Sequence, residues 1–208
     1  MTIYLYYGTV GSGKSYHALV EGLMYVNRKR KNTVVANFPI KAKTEGERKN
    51  WIYLEDIQVK DLIRISLERG IYGKEGHGLI IIDEAGVFFN ARDWQVSSER
   101  RKEWIKFMSQ SRKFGYNIIL IAQEPRMVDR QIRSQAEYNV KHVKMRNYSW
   151  FKIIPFPVFA QVYYWSGGQF KGQVRLSILK PWIAKRYDTM KIFSYDEEMQ
   201  KLIKEYGY

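Results

Sequence analysis

The sequence has no cysteine, only five prolines and no long apolar segment. The absence of cysteine excludes disulfides and thiolate metal sites, and it fits a reducing compartment such as the cytoplasm. No segment reaches the ~20 consecutive apolar residues of a membrane-spanning helix, and the N-terminus begins directly with an apolar strand rather than with a signal peptide. We therefore expect neither a transmembrane segment nor a secretory leader in this chain.

Acidic residues are few compared with basic ones. Lys and Arg number 35 and Asp and Glu 21, which gives a formal charge of +14. An excess of this size attracts polyanions, so the composition favours nucleic acid or an anionic membrane surface as a partner; a basic protein that is merely soluble is the alternative. The three histidines, His17, His77 and His142, are scattered, and we expect surface or core imidazoles rather than metal ligands. Hydrophobic residues make up 45% of the 208 positions, which suffices for one folded domain.

The clearest motif lies at the start of the chain. An apolar segment, Ile3 to Tyr7, predicts a buried strand and is followed by Gly8-Thr9-Val10-Gly11-Ser12-Gly13-Lys14-Ser15, which fits the phosphate loop G-x-x-x-x-G-K-[ST]. Glycines let the backbone curve until its N–H groups point at a phosphate, and the next helix adds its positive end. Lys14 is expected to contact the β- and γ-phosphates and Ser15 to bind Mg²⁺. The loop and the following Tyr16 are thus the predicted nucleotide-binding residues; a glycine-rich turn that binds nothing is the alternative.

A second motif is the segment Leu79-Ile80-Ile81-Ile82-Asp83-Glu84-Ala85. A continuous apolar run predicts a strand that is buried on both faces, as in a parallel sheet. Ligands of such sheets bind beyond the carboxyl ends of the strands, where Asp83 is expected to support the Mg²⁺ shell and Glu84 to polarise the attacking water. Gln123 follows another buried strand, 117–122, and is expected beside the same site as a sensor of the γ-phosphate; an ordinary strand-end amide is the alternative.

The rest of the chain alternates helices and strands. Helices are predicted over residues 14–31, 55–69, 97–114 (capped by Ser97 or Ser98) and from 194, and strands over 33–38, 137–145, 158–165 and 170–179, with a hairpin turn at 166–169. On the first helix, the predicted apolar face comprises Tyr16, Leu19, Val20, Leu23 and Met24. Residues 41–50 are predicted to be a loop and residues 70–78 a flexible connection.

Together these elements predict an α/β fold with three layers and a mostly parallel central sheet. We expect one domain over residues 1–208, made of a nucleotide-binding core at 1–145, an antiparallel, β-rich extension at 146–190 and a short C-terminal helix at 191–208.

The segment 126–152 combines seven Lys or Arg residues with Tyr138, Tyr148 and Trp150. Basic and aromatic residues together suit a groove for single-stranded nucleic acid, because aromatic rings offer flat faces on which bases stack. The alternative is a strand that carries charges outside and packs its aromatic residues into the core.

Several segments, in this order, resemble the zonular occludens toxin family, which includes the gene I assembly proteins of filamentous phages. They are the loop from Gly8 to Ser15, the segment Ile-Ile-Ile-Asp-Glu-Ala-Gly at 80–86, the segment from Arg112 to Gln123, and Val-Asp-Arg-Gln-Ile-Arg at 128–133. The resemblance covers roughly residues 1–145. The first two segments are common to many NTPases, and the later R-x-x-G-x-[ND]-I-x-L-x-x-Q and D-x-x-I-R segments are the more specific ones.

The resemblance implies a P-loop ATPase core of the ASCE type, related to DNA-pumping translocases, that uses ATP and Mg²⁺. It implies a role in the assembly and export of single-stranded DNA phage from the host cytoplasm, at the cytoplasmic face of the inner membrane, with phage assembly or coat proteins as partners. By matching position, Lys14 and Ser15 are phosphate and Mg²⁺ residues, Asp83 and Glu84 the Walker B pair, and Gln123 the sensor. Many relatives carry a membrane span after this domain, and this sequence shows none. A domain of a longer protein, a short family member and a protein attached to the membrane through a partner are the alternatives.

P-loop enzymes of this kind gain a large rate factor from an arginine inserted at the transferred phosphoryl group. We therefore expect a ring or another multimer in which Arg112, Arg126 or Arg130 of a neighbour completes the site, with Arg112 slightly favoured.

Two other functions stay open at this point. One is a DNA-binding module that uses ATP as a structural or switching ligand, against which Glu84 argues. The other is a nucleotide kinase, for which the sequence offers no lid or acceptor-base motif.

Overall fold

The computed structural model describes residues 2–27, 33–89, 98–147, 156–166 and 171–187. Within them, one sheet is built from eight strands: β1 Ile3–Tyr7, β2 Thr33–Ala36, β3 Trp51–Tyr53, β4 Gly78–Ile82, β5 Tyr116–Ala122, β6 Tyr138–Lys144, β7 Val158–Trp165 and β8 Lys171–Ile178. Their order across the sheet is β3-β2-β4-β5-β1-β6-β7-β8. The first strand of the chain therefore lies in the interior of the sheet.

Strand direction divides the sheet into two parts. All pairings from β3 to β6 are parallel, whereas β6 with β7 and β7 with β8 are antiparallel. The parallel strands end at one common edge, and the antiparallel pair extends the same sheet next to β6. This confirms the predicted mostly parallel sheet with an antiparallel extension.

Helices cover both faces of the sheet. They are α1 Lys14–Val26, α2 Glu45–Asn50, α3 Val59–Glu68, α4 Ala85–Phe88, α5 Ser98–Gln110, α6 Arg130–Arg133 and α7 Pro181–Ala184, with 3-10 turns at Pro125–Met127 and Met145–Asn147. Along β4, Ile80 and Ile82 pack with α3 and α5 on one face, and Leu79 and Ile81 pack with α1 on the other. An unbroken apolar run is what such a strand requires, and the three-layer α/β prediction is confirmed.

The prediction of a loop over residues 41–50 was wrong for residues 45–50, because α2 forms there. Thr44 begins the helix with a capping box: its hydroxyl accepts a hydrogen bond from the Glu47 N–H, and the Glu47 carboxylate accepts one from the Thr44 N–H. These bonds satisfy two backbone N–H groups that a helix N-terminus leaves unpaired. The spacing Thr-x-x-Glu, which is typical of a helix N-terminus, is present in the sequence. The polar composition of the segment favoured a loop instead.

The buried face of α1 also differs from the prediction. Met24 is 49% exposed, whereas Tyr25 and Val26 are buried. Gly22 faces the ring of Trp51, where an added Cβ would lie 2.6 Å from the nearest ring carbon. Compared with the predicted orientation, α1 is therefore rotated about its axis so that Gly22 faces the sheet. Because glycine has no side chain, the helix can approach the sheet closely there.

The glycine-rich segment 70–78 forms a series of tight turns. The N–H of Gly73 donates to the carbonyl of Lys113, 2.8 Å away, and Gly78 already belongs to β4. Gly115, just before β5, has a φ of +79°, and an added Cβ would lie 2.3 Å from the Ile71 carbonyl oxygen.

Parts of several predictions lie outside the described residues. They are residues 28–31 of the first helix, the Ser97 cap, the centre of the 166–169 turn, the aromatic residues Tyr148 and Trp150, and the helix from 194. Within the described ranges, no helix combines the length and apolar character that crossing a membrane requires.

Candidate nucleotide-binding site

The loop that joins β1 to α1 has a backbone that only glycine adopts easily. Gly8, Gly11 and Gly13 have φ values of +146°, +72° and +89°, in the region that a Cβ disfavours. Gly8 is further restricted because an added Cβ would lie 2.4 Å from the carbonyl oxygen of His142 on β6. The glycines of the motif are therefore required by the backbone path of the loop.

Hydrogen bonds hold the loop at the carboxyl edge of the sheet. The Gly8 N–H donates to the carbonyl of Gln123, 3.1 Å away at the end of β5, and the Ser12 N–H donates to the Thr9 carbonyl at 3.2 Å. Thr9, Val10 and Gly11 are exposed. Ser12 is buried, and its hydroxyl has no hydrogen-bond partner among the described residues. The tip of the loop is thus open to solvent while its base is fixed.

Lys14 turns back over the loop. Its ammonium group donates to the carbonyls of Gly8, at 2.8 Å, and Thr9, at 3.0 Å. Burial lowers the pKa of Lys14, and the charges of Asp83 and Glu84 partly offset that effect. The lysine and the two acids, 69 and 70 positions apart in the sequence, therefore share one electrostatic environment.

Asp83 follows β4 and is fixed by Asn37 at the end of β2. The Asp83 N–H donates to the Asn37 side-chain oxygen at 2.7 Å, and the Asn37 amide donates to the Asp83 carbonyl at 2.8 Å. One carboxylate oxygen of Asp83 accepts the Glu84 N–H at 2.9 Å. Sequence reasoning missed Asn37, although a polar residue that ends the apolar run Val34–Ala36 was the available signal.

Glu84 adopts a left-handed backbone conformation, with φ +50° and ψ +44°. Among the described residues it is the one non-glycine residue with a positive φ. Its carbonyl accepts the N–H groups of Val87 and Phe88, at 2.8 and 3.1 Å, so the strained residue begins α4. Burial and then the charge of Asp83 raise the pKa of the Glu84 carboxyl, and Lys14 acts in the opposite direction. Strain of this kind concentrates at functional sites.

The other predicted site residues lie at opposite ends of β5. Gln123 is exposed at the carboxyl edge, beside the loop to which its carbonyl is bonded. Arg112 lies before the amino end of β5, where it pairs with Glu75 at 2.9 Å. A strand of seven residues is about 20 Å long, so Arg112 lies far from the loop of its own chain. Arg126, in contrast, follows the carboxyl end of β5 and is exposed.

Residues from the C-terminal part of the chain also reach the site. The Tyr16 hydroxyl accepts the Lys180 N–H at 3.0 Å, which ties the first turn of α1 to the segment that follows β8. The Nε2 atom of His17 lies 2.6 Å from the hydroxyl oxygen of Ser177, in a hydrogen bond. The hydroxyl of Tyr187 donates to the second carboxylate oxygen of Asp83 at 2.8 Å. No local sequence signal indicates contacts between residues more than one hundred positions apart.

Two histidines lie directly beneath the loop as core imidazoles. The rings of His17 and His142 have centroids 5.0 Å apart, and their exposed fractions are 6% and 2%. Within the described ranges, no three His, Asp or Glu side chains converge in a way that would hold a metal ion on their own.

The basic segment is only partly available to a ligand. Lys141 and Arg130 are exposed, but Tyr138 stacks on Tyr4 at a centroid distance of 5.6 Å. Asp129 caps α6 by accepting the N–H of Gln131 at 2.8 Å. For Tyr138, the structure therefore supports packing on the sheet rather than presentation to a base.

Comparison with known proteins identifies the family. The family model for zonular occludens toxin (Zot) matches residues 2–155. The Gene 1 protein of Enterobacteria phage f1 is 33% identical over 86 residues, which are 41% of this chain and 24% of that protein. The Gene 1 protein of Enterobacteria phage I2-2 is 26% identical over 152 residues, 69% of this chain and 40% of that protein. The matched region thus spans less than half of either relative.

A solved structure shares the fold. The N-terminal domain of zonular occludens toxin from Neisseria meningitidis superposes with a TM-score of 0.55 at 14% identity, covering 90% of this chain and 98% of that domain. The phosphate loop, the acids that follow β4 and the strand order agree with the P-loop NTPase fold. Because the family model covers well over half of the sequence, the chain belongs to the zonular occludens toxin (Zot) family.

Proposed function

We propose that this chain is a Mg²⁺-dependent ATPase that drives the assembly and export of a filamentous, single-stranded DNA phage. The observation that carries the proposal is the convergence of Lys14, Asp83 and Glu84 at the carboxyl edge, beside a loop whose glycines adopt positive φ values. The phage role comes from the Gene 1 relatives. Since the match covers only part of those proteins, their whole activity is an inference for this chain.

The residues present fit a magnesium–nucleotide complex. The exposed loop offers backbone N–H groups, and Lys14 supplies a cation to the same place. The Ser15 hydroxyl and the Asp83 carboxylate are hard oxygen donors of the kind that Mg²⁺ takes together with phosphate oxygens and waters. When bound, the ion would neutralise charge on the phosphates. The protein residues proposed for this role are Ser15 and Asp83.

Glu84 is the proposed general base. It is half-buried next to Asp83, and a carboxyl whose pKa is raised by burial is a better proton acceptor than an exposed one. Its left-handed backbone makes α4 begin immediately after it. We propose that Gln123, exposed and joined through its carbonyl to Gly8, senses the terminal phosphate from the end of β5.

The active form is proposed to be a multimer in which a neighbour supplies an arginine. Both Arg112 and Arg126 are exposed. Arg126 is proposed for this role because it lies at the carboxyl edge, whereas Arg112 lies at the opposite edge in an ion pair with Glu75. Single-stranded DNA is the proposed polyanionic partner, since the formal charge is +14. Phage assembly or coat proteins, and attachment to the cytoplasmic face of the inner membrane through one of them, complete the proposal.

Turnover of ATP by the purified chain, with and without single-stranded DNA, tests the proposal. We expect Mg²⁺-dependent turnover that Lys14→Ala abolishes, because that change removes the only lysine of the loop. Lys113→Ala is the matched control: Lys113 is exposed beyond the amino end of β5, so its loss should leave turnover unchanged. Equal turnover in both variants and the wild type would refute the phosphate-loop assignment.

A further inference from the structure

Tyr187 makes a direct contact with the acid that follows β4. Its hydroxyl donates to one carboxylate oxygen of Asp83 at 2.8 Å, and the other oxygen accepts the Glu84 N–H at 2.9 Å. Asp83 is only 4% exposed. Both oxygens are thus fixed by donors from the protein, one local and one from 104 positions away.

The backbone around Tyr187 is hydrogen-bonded to the segment that follows β2. Ile40 and Tyr187 form an antiparallel bridge, the Lys41 N–H donates to the Arg186 carbonyl at 2.9 Å, and the Arg186 Nε donates to the Lys41 carbonyl at 3.1 Å. The ring of Tyr187 packs on Phe38 with centroids 4.6 Å apart. We call residues 186 and 187 the strap.

A buried ion pair completes the attachment of the strap. Arg186 donates to the Glu47 carboxylate, and the two side chains are only 10% and 4% exposed. Burial alone would raise the pKa of Glu47, but hydrogen bonds from Arg186, the Lys43 N–H and Asn27 outweigh it and lower that pKa to about 2. Removing one partner of such a pair leaves an uncompensated buried charge, so the intact pair holds the strap against α2.

From this geometry we infer that Tyr187 is a positioning residue for the magnesium site: its hydroxyl holds the Asp83 carboxylate in the orientation in which it binds the Mg²⁺ shell. The inference rests on the proposed function. Outer partners that orient a metal-binding carboxylate typically account for 10–100-fold in metal affinity. The strap, which follows α7, thereby fixes the orientation of Asp83 at the carboxyl edge of the sheet.

The test is the Mg²⁺ dependence of nucleotide binding, measured by titrating a fluorescent ATP analogue at fixed Mg²⁺ concentrations and in EDTA. Tyr187→Phe keeps the ring on Phe38 and removes only the hydroxyl. We expect unchanged affinity in EDTA and a Mg²⁺ concentration for half-maximal enhancement that rises about tenfold. Tyr72→Phe is the matched control, because Tyr72 is 52% exposed beyond the amino end of β4, and it should behave as the wild type.

Other outcomes separate this inference from the proposed function. If the wild type binds the analogue with Mg²⁺ enhancement and Tyr187→Phe shows the same or a lower half-maximal Mg²⁺ concentration, the inference is overturned while the proposed function stands. A fall in the unfolding temperature of Tyr187→Phe without a change in Mg²⁺ dependence would equally overturn it. If the wild type does not bind the analogue at all, the proposed function is refuted instead. Arg186→Lys, with Tyr187 intact, should raise the half-maximal Mg²⁺ concentration in the same direction by loosening the strap.

Discussion

Acid is expected to destabilise the fold through the two histidines beneath the phosphate loop. Burial lowers the pKa of His17 to about 4, although a backbone contact at Gly13 acts in the other direction. Burial, followed by the charge of His17, lowers the pKa of His142 to about 3. Both rings are therefore neutral in the folded protein at every pH above about 5, and both take up a proton on unfolding in weak acid.

The size of the effect follows from the difference in protonation between the two states. An unfolded histidine has a pKa of about 6.5. Since the folded pKa values are depressed, the stabilisation is complete above pH 6.5 and is lost as the pH falls toward 4. Between pH 7.5 and pH 5, each histidine lowers the free energy of unfolding by about 2 kcal/mol, so the pair lowers it by about 4 kcal/mol. That is a large share of the ~5–15 kcal/mol of a typical domain.

Urea unfolding at pH 7.5 and pH 5.0 measures this difference directly. The comparison is with the double variant His17→Gln, His142→Gln, whose side chains do not titrate. The wild type should lose about 4 kcal/mol between the two pH values and the variant much less. The raised pKa of Glu84 works weakly in the opposite sense, and the lowered pKa of Glu47, at about 2, matters only in stronger acid. A variant that loses as much stability as the wild type would refute the assignment to these histidines.

Three further predictions concern the proposed activity. Glu84→Gln should bind ATP normally but hydrolyse it roughly 10²-fold more slowly, because it lacks the proton acceptor; normal single-turnover hydrolysis would exclude Glu84 as the base. Affinity for single-stranded DNA should fall steeply with salt, and charge reversal at Arg126, Lys141 and Lys144 should flatten that slope; a flat dependence in the wild type would leave the net charge without this role. Specific ATPase activity should rise with protein concentration, and mixing Arg126→Ala with Glu84→Gln should restore part of it, since each subunit completes the other's site; no rescue would argue against a shared site.

The central elements were predictable because their signals are contiguous. A strand, a glycine loop and a helix follow one another within residues 3–26, and the loop pattern fixes where the positive φ values fall. The apolar run before Asp83 likewise specifies a strand that is buried on both faces, and parallel strands bring both motifs to one edge. Local chemistry therefore sufficed for the fold class and for the core of the candidate site.

Long-range partners were not predictable in this way. Asn37 and Tyr187 bond to Asp83 from strands and turns that only the complete topology brings together. For Arg112, the structure adds the ion pair with Glu75 at the amino end of β5, and the Glu75 partner was not indicated by the sequence. The family-specific D-x-x-I-R segment has a structural explanation too, since Asp129 caps α6 and Ile132 is fully buried.

The interior position of β1 has a consequence for synthesis on the ribosome. Its neighbours in the sheet begin only at Tyr116 and Tyr138. At 5–20 residues per second, the nascent β1 therefore waits roughly 5–30 s for its pairing edges. During that time Ile3 and Leu5, both fully buried in the folded protein, have no sheet to cover them. The phosphate loop is thus synthesised well before the strands that complete its surroundings.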